Sequence, residues 1–451
     1  MTDIETSIRP FERVARRLAA RTALPSAPPS EPEFEFDIAI VGLGYVGLPT
    51  ALDYFTAGAR VLALDISAAR RAAIAAGDVD LVPTDAARLP LALASDGFAL
   101  SGEPADLSRA AAVVVCVPTP VDEHLMPDLS LLSAACETVV AHARADQLLM
   151  LTSTTYVGCT QDLLVAPLTE HGFVVGEDIH VAFSAERIDP GNTAVDHHRV
   201  PRVVGGATPS CEVRAERLLR SYADAVHRVH SLAAAEMTKL LENTFRAVNI
   251  ALANEFADIC RHLDLDVTTV IDAASTKPYG FMAFRPGPGV GGHCIPCDPH
   301  YLLWQLRSKR IEAPLITRAM NEIALRPGRV VDRVRDVLSE TGAGLVGARV
   351  LVVGVAYKPN VADLRESPAL EILAGLRSHG ATIAYLDPLC PEVRLPDGST
   401  MRSTDEPRSF APDVVIVHTR HDVLDLGWLE HTPIVLDATY RGVDLPHRVR
   451  L

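Results

Sequence analysis

The sequence predicts an α/β protein in which two Rossmann-like, doubly wound domains are joined by a long central helix and a helical middle domain. Three observations carry that expectation. An apolar strand runs into Gly42-Leu43-Gly44-Tyr45-Val46-Gly47 and then into helical sequence. Residues 231–263 contain neither Gly nor Pro and repeat large apolar side chains at steps of three and four. At Arg349 the strand–helix rhythm begins again.

Taken in chain order, residues 1–34 carry Pro25, Pro28, Pro29 and Pro32 among Ala, Ser and Glu. Such a mix has too little apolar surface to pack and is expected to be a disordered extension. Residues 35–229 form the first α/β domain, with apolar strands at Ile38 to Val41, Val61 to Leu64, Val113 to Val117 and Leu148 to Leu151. Continuous apolar strands alternating with helices imply a parallel sheet buried on both faces. Residues 230–340 form the helical domain. Its long helix carries Leu241, Phe245, Val248, Leu252, Phe256, Ile259 and Leu263 as one stripe. At 1.5 Å per residue the helix is about 50 Å long. One domain cannot cover that length, so the stripe is expected to meet a second copy in a homodimer. A Pro/Gly-rich loop at 285–292 precedes further helix. Residues 341–451 supply the second α/β domain, with strands at Val350 to Gly354, Asp413 to Val417 and Ile434 to Asp437.

A chain of 451 residues exceeds one hydrophobic core, and with 48% hydrophobic and 22% charged residues it has a globular composition. No apolar run reaches the roughly 18 residues of a membrane helix. A net charge of -15 excludes sequence-independent nucleic-acid binding, which needs clustered cations. The first 34 residues lack the apolar core of a secretory signal, and eight scattered cysteines are too few for a disulfide scaffold. A cytoplasmic protein is expected.

The glycine loop follows a strand and opens a helix, and Asp65 ends the next strand 18 residues after Gly47. In that order the glycines allow a tight turn and the approach of a pyrophosphate to a helix N-terminus, while the acid accepts hydrogen bonds from a ribose. A carboxylate there repels a 2′-phosphate, so NAD is expected over NADP, with Arg70 and Arg71 nearby as the opposing signal.

Lys239 and Asn243 lie four apart on the face opposite the apolar stripe, where both can reach one small ligand. A solvated face is the ordinary reading of such a pair. The chain, however, has four lysines against 38 arginines, so Lys239 and Lys358 mark places where a point charge or titratable amine is needed. In Gly291-Gly292-His293-Cys294-Ile295-Pro296-Cys297-Asp298-Pro299-His300 three chemistries are open. The Cys and His residues could bind zinc, Cys294 and Cys297 could form a redox pair, or one Cys could act as a nucleophile with Asp298 nearby. The short Pro-interrupted segment limits the first, and helical surroundings unlike a thioredoxin fold argue against the second.

From about residue 36 to 445 the chain resembles the UDP-glucose/GDP-mannose dehydrogenase family. The resemblance rests on Val41 to Pro49, Phe183-Ser184-Ala185-Glu186-Arg187-Ile188-Asp189-Pro190-Gly191, Lys239 to Thr244, Gly291-Gly292-His293-Cys294, Tyr357-Lys358-Pro359-Asn360 and Asp363-Leu364-Arg365-Glu366-Ser367. Pro286-Gly287-Pro288-Gly289 and the Gly-Gly-His-Cys-Ile-Pro-x-Asp-Pro run are more similar to the members acting on UDP-N-acetylglucosamine than to those acting on UDP-glucose. Cys297, Ala185 and the segment Asp437-Ala438-Thr439-Tyr440-Arg441 depart from the family pattern.

The resemblance implies a cytoplasmic, NAD-dependent, four-electron oxidation of a UDP-sugar C6 alcohol to the uronic acid, feeding surface polysaccharide synthesis. UDP-glucose and UDP-N-acetylmannosamine are the alternative substrates. It implies cofactor contacts at Gly42, Gly44, Tyr45, Val46 and Gly47, and at Asp65, Arg70, Thr119 and Thr154. Substrate contacts are implied at Glu186, Arg187, Lys239 and Asn243, and at Phe284, Gly291, Lys358 and Arg365, the last two facing the diphosphate. Lys239, Asn243 and a water held by Asp298 and Thr119 would stabilise the first alkoxide, Cys294 would attack the aldehyde, and Glu186 would deprotonate the hydrolytic water. Two rivals are a non-catalytic nucleotide-sugar-binding protein and a zinc alcohol dehydrogenase that stops at the aldehyde. Joint presence of Lys239, Asn243, Cys294 and Asp298 argues against the first, and metal content tests the second.

Overall fold

The computed structural model describes residues 34–79, 81–187, 199–292, 294–441 and 448–451. The expected extension, apart from Phe34, lies outside the described residues, as do Ile188 to Gly191 and His293. Both predicted Rossmann-type sheets are present. The first contains β1 (Ile38–Val41), β2 (Val61–Leu64), β3 (Phe98–Ser101), β4 (Ala112–Val115), β5 (Leu148–Leu151), β6 (His180–Phe183), β7 (Arg202–Gly206) and β8 (Val226–Arg228). Their order is β3-β2-β1-β4-β5-β6-β7-β8, so β1 lies between β2 and β4, with Ala39 opposite both Leu62 and Val113. That reversal of strand order opens a crevice beyond the strands' carboxyl ends, where such sheets bind ligands. Strands β1, β2, β4, β5 and β6 are buried along their whole length, as an all-apolar strand between helical layers requires. One pairing departs from the expected parallel pattern. β6 and β7 are antiparallel, with Ala182 opposite Gly206, and β8 continues parallel to β7.

Helix α1 (Gly47–Thr56) follows β1, and the long helix α2 spans Leu232–His262. Ser231 caps α2 by accepting the Ala234 amide at 3.1 Å, and Arg261 and His262 occupy its last turn, where cations complement the helix dipole. Apart from Val248, which packs beside Ala247 and Ala251, the predicted stripe does not face this chain's own core. Leu241, Phe245, Leu252, Phe256, Ile259 and Leu263 are each between 43% and 64% exposed. The buried face instead consists of small or polar side chains such as Ala235, Lys239, Asn243, Ala247 and Ala251. It packs on α3 (Cys294–Ser308) and α4 (Pro314–Glu340) through Ile295, Ala319, Met320 and Ile323. No helix among the described residues is long and apolar enough to cross a membrane.

The second sheet has β9 (Arg349–Val353), β10 (Thr382–Leu386), β13 (Val414–Val417), β14 (Ile434–Asp437) and β15 (Arg448–Arg450), all parallel, in the order β10-β9-β13-β14-β15. A hairpin of β11 (Glu392–Arg394) and β12 (Thr400–Arg402), which the apolar runs did not announce, lies between β10 and β13 in the chain. Here too the first strand has neighbours on both sides, and the order reverses between β9 and β13.

Candidate active site

Gly42 follows β1 with φ +88°, a conformation that favours glycine, and its amide donates to Leu64 O at 2.8 Å. A Cβ on Gly47 would lie 1.8 Å from Gly42 O, so α1 can start this close to the strand only with glycine there. A Cβ on Gly44 would meet nothing within 4 Å, which leaves the space above the helix N-terminus open for a pyrophosphate. Asp65 closes the loop, accepting the Leu43 amide on Oδ2 at 2.9 Å and the Ser67 amide on Oδ1 at 2.8 Å. Arg70 and Arg71 are turned inward. Arg70 Nε donates to Leu43 O at 2.8 Å and Arg71 Nη1 to Asp65 O at 2.6 Å. This cradle fits NAD, because the acid is presented beside the loop and the guanidinium groups are spent on backbone carbonyls. Val46 directly precedes α1, and the Tyr45 ring lies under the Arg365 guanidinium, 4.1 Å from its centroid. Thr119 is 3% exposed in the loop after β4, with Tyr301 of α3 as hydrogen-bond partner. Thr154 is half-buried in the loop after β5.

Lys239, Asn243 and Asp298 meet where α2 crosses α3. They are 8%, 9% and 1% exposed, and Asn243 Nδ2 donates to Asp298 Oδ2. Burial raises the Asp298 carboxyl from 3.8 to about 6, against the opposing pull of Lys239 and the Asn243 hydrogen bond. Cys294 begins α3 and is exposed. Its thiol is raised by desolvation and by Asp298, while Lys239, Arg365 and Arg246 draw it down. Cys297 is 3% exposed, and burial, with Asp298 and Glu366, pushes its thiol up to about 12. Among the described residues no group of three or more His, Cys, Asp or Glu is placed to hold a metal ion.

Several side chains named from the sequence have partners within the chain. Glu186, expected beside the hydrolytic water, is ion-paired with the buried Arg202 of β7 and accepts its neighbour's amide, Arg187 N, at 2.7 Å. Arg187, expected at the substrate, donates to Pro201 O at 2.6 Å and pairs with Glu242 of α2. Phe284 is half-buried and packs edge-on against Phe245 of the exposed stripe, with ring centroids 5.9 Å apart. At Gly291, expected at the substrate, and at Gly292 the neighbour within the chain is the second α/β domain. A Cβ on Gly291 would lie 2.6 Å from Tyr357 Cβ, and Gly292, with φ +81°, donates its amide to Arg365 O at 2.9 Å. These glycines therefore let the second α/β domain close on the Cys294 loop. Arg365, expected at the diphosphate, pairs with Asp363 at 2.6 Å besides stacking on Tyr45. Lys358 lies half-buried in the loop after β9.

Some contributors were missed from the sequence. Arg246, three residues beyond Asn243 on α2, acts on Cys294, and the helical spacing could have shown it. Glu236 of α2, 1% exposed, accepts the amides of Gly158 and Thr160 at 2.6 and 2.9 Å. Gln305 of α3 bonds both the amide and the carbonyl of Val157, at 3.1 and 2.6 Å. Together they fix the loop beyond Thr154 to α2 and α3. These partners lie 76 to 148 residues apart, beyond any local pattern.

Residues 36–223 match the NAD binding domain of the UDP-glucose/GDP-mannose dehydrogenase family, 233–323 its central domain and 351–440 its UDP binding domain. The chain is 32% identical over 418 residues to the UDP-N-acetyl-D-mannosamine dehydrogenase of Escherichia coli (strain K12), covering 89% of this chain and 98% of that protein. It is 34% identical over 356 residues to the UDP-N-acetyl-D-glucosamine 6-dehydrogenase of Pseudomonas aeruginosa, covering 78% and 83%. The solved UDP-D-ManNAc dehydrogenase of Pyrococcus horikoshii superposes with a TM-score of 0.83 at 29% identity, over 92% of this chain and 98% of that one.

Proposed function

The chain belongs to the UDP-glucose/GDP-mannose dehydrogenase family of NAD-dependent enzymes, and from that membership we propose that it oxidises the C6 alcohol of a UDP-N-acetylhexosamine to the uronic acid in two steps at one site. The observation that carries this reading is the convergence of Lys239, Asn243, Asp298 and the exposed Cys294 at the junction of α2 and α3. NAD, when bound, supplies the hydride acceptor for each oxidation.

The chain's own part begins at the C6 hydroxyl. Lys239 and Asn243 stabilise negative charge developing on that oxygen, and its proton passes toward Asp298, ionised at neutral pH. Loss of the first hydride leaves an aldehyde. Cys294, as thiolate, bonds to the aldehyde carbon to give the thiohemiacetal oxyanion, whose charge Lys239 and Asn243 stabilise, and loss of a second hydride from that carbon leaves a thioester. Water adds to the thioester carbonyl, the carbon–sulfur bond breaks, and the carboxylate leaves. Glu186, held by its ion pair with Arg202, is read as the base that takes the proton of that water. Lys358 is read as the cation for the diphosphate, and Arg365 as the link between the Tyr45 loop and the Cys294 loop.

UDP-N-acetylglucosamine is the substrate read from the Gly-Gly-His-Cys segment, and UDP-N-acetylmannosamine is the second reading, favoured by relatives matched over 98% of their length. An NADH-release screen against both, with UDP-glucose and GDP-mannose, separates them. Turnover confined to UDP-glucose or GDP-mannose would reject the N-acetylhexosamine reading. The exposed stripe of α2 supports a homodimer, the free thiols fit a reducing cytoplasm, and the uronic acid fits a surface polysaccharide precursor.

A further inference from the structure

The carboxyl end of the second sheet repeats the construction of the first, with one addition. Gly354, φ +74°, follows β9 as Gly42 follows β1, and its amide donates to Leu386 O at 2.8 Å. Asp387 follows β10 as Asp65 follows β2, and it accepts the amide of the residue after the glycine, Val355 N, on Oδ2 at 2.7 Å. Asp65 remains partly open to a ribose. Asp387 has no exposed surface, and its oxygens also accept from Ala356 N, Leu389 N and Cys390 N at 3.2, 2.9 and 3.1 Å. The addition is His421, itself without exposed surface, whose Nε2 lies 3.1 Å from Asp387 Oδ2.

The other face of that imidazole determines what it does. His421 Nδ1 is 2.9 Å from the backbone amide of Asn360, which can only donate. The acceptor is therefore Nδ1, and the proton resides on Nε2, facing Asp387. Asn360 adopts a left-handed conformation, φ +63°, and its side chain is tied on both atoms to the loop after β13. Nδ2 donates to Asp422 Oδ2 at 2.7 Å, and Oδ1 accepts Asp422 N at 2.9 Å. Only Pro359, with φ fixed by its ring, separates this anchored residue from Lys358.

We propose that His421, oriented by Asp387, is a positioning residue of the UDP-sugar site, and that by accepting the Asn360 amide it holds Lys358 in place for the substrate diphosphate. The proposal rests on the reading of Lys358 as the diphosphate cation. The acid that in the first domain is presented to a ribose is used in the second to fix a histidine, so the same turn becomes a clamp on the loop after β9.

UDP binding by titration calorimetry tests this on the full chain, using two amide substitutions that keep the buried site polar. His421→Asn places an acceptor where Nδ1 stands. His421→Gln reaches the Nε2 position, keeping a donor for Asp387 and abandoning Asn360. Lys358→Met serves as the control for the underlying reading. The expected result is that Lys358→Met and His421→Gln each weaken UDP at least tenfold, while His421→Asn stays within about threefold of wild type. His421→Gln should raise KM for the UDP-sugar with kcat and the KM for NAD nearly unchanged. If Lys358→Met binds UDP like wild type, the diphosphate reading fails and the proposal with it. If Lys358→Met is weak but His421→Gln binds normally, or His421→Asn is as weak as His421→Gln, the positioning role alone is overturned. A parallel fall in kcat and thermal stability of His421→Gln, with UDP affinity kept, also overturns it.

Discussion

One turn of α3 separates two thiols: both are raised by desolvation and Asp298, but Cys294 is exposed with Lys239, Arg365 and Arg246 drawing it back down, whereas Cys297 is buried and raised to about 12. A thiolate is the attacking species, so reactivity belongs to the thiol with cations and access. Cys294→Ala is expected to release aldehyde with no acid, and Cys294→Ser to stall as a slowly hydrolysed adduct. Cys297→Ala should retain acid formation, with a packing loss on the order of 1–2 kcal/mol. Acid formation by Cys294→Ala, measured by chromatography of the products, would refute the assignment. Asp298 gives a second test. Its folded carboxyl, raised from 3.8 to about 6, binds a proton more readily than in the unfolded chain. Stability is therefore lost as pH rises between those values and stays lost above them, a cost on the order of 3 kcal/mol at neutral pH. Asp298→Asn should melt higher than wild type at pH 8, lose at least about a hundredfold in kcat, and lack the acidic limb near pH 6 expected in the wild-type kcat/KM profile. A wild-type profile flat through pH 6 would contradict this. Lys239, Asn243, Asp298 and Cys294 were legible because residue type and helical spacing carry them. The Arg202 partner of Glu186 was not legible, because it arrives on an antiparallel strand that no local pattern announces.

At the scale of elements, α2 works through both faces. Its small and polar face holds α3 and α4 and carries Lys239 and Asn243, and most of its apolar stripe is left outside. Covering a Leu or Phe contributes roughly 1.5–3 kcal/mol, so a stripe of six such side chains is a large driving force for pairing two copies. Wild type is expected to be a dimer at micromolar concentration, and Leu252→Glu combined with Phe256→Glu to yield folded monomers by light scattering with circular dichroism. A fully active wild-type monomer would remove the dimer from the account. Phe284 packs on Phe245 in this stripe, so the monomeric variant should also show a raised KM for the UDP-sugar. The helix was legible from its period and its freedom from Gly and Pro. The direction of β7 was not, because an apolar run has the same composition whichever way it points.

Over the whole molecule, the site exists only where three parts close together. The glycine loop of the first domain reaches the second through Tyr45 and Arg365, and Gly291 and Gly292 let the second domain meet the Cys294 loop. Asn254 of α2 and Arg326 of α4 pin Gly287 on its amide and carbonyl, at 2.9 and 3.0 Å, fixing the approach to that loop. Two strand–helix repeats flanking a helical middle were readable along the chain, whereas the closure depends on which backbone each glycine admits, a tertiary fact. In the proposed reaction one thiol and one cofactor cradle act twice on the same carbon. The most direct measurement is the ratio of NADH formed to uronic acid formed, with the UDP-N-acetylhexosamine that turns over, by absorbance and product chromatography in one reaction. Two NADH per acid, with no free aldehyde, is the predicted result; one NADH per product with aldehyde accumulating would contradict the two-step oxidation through Cys294.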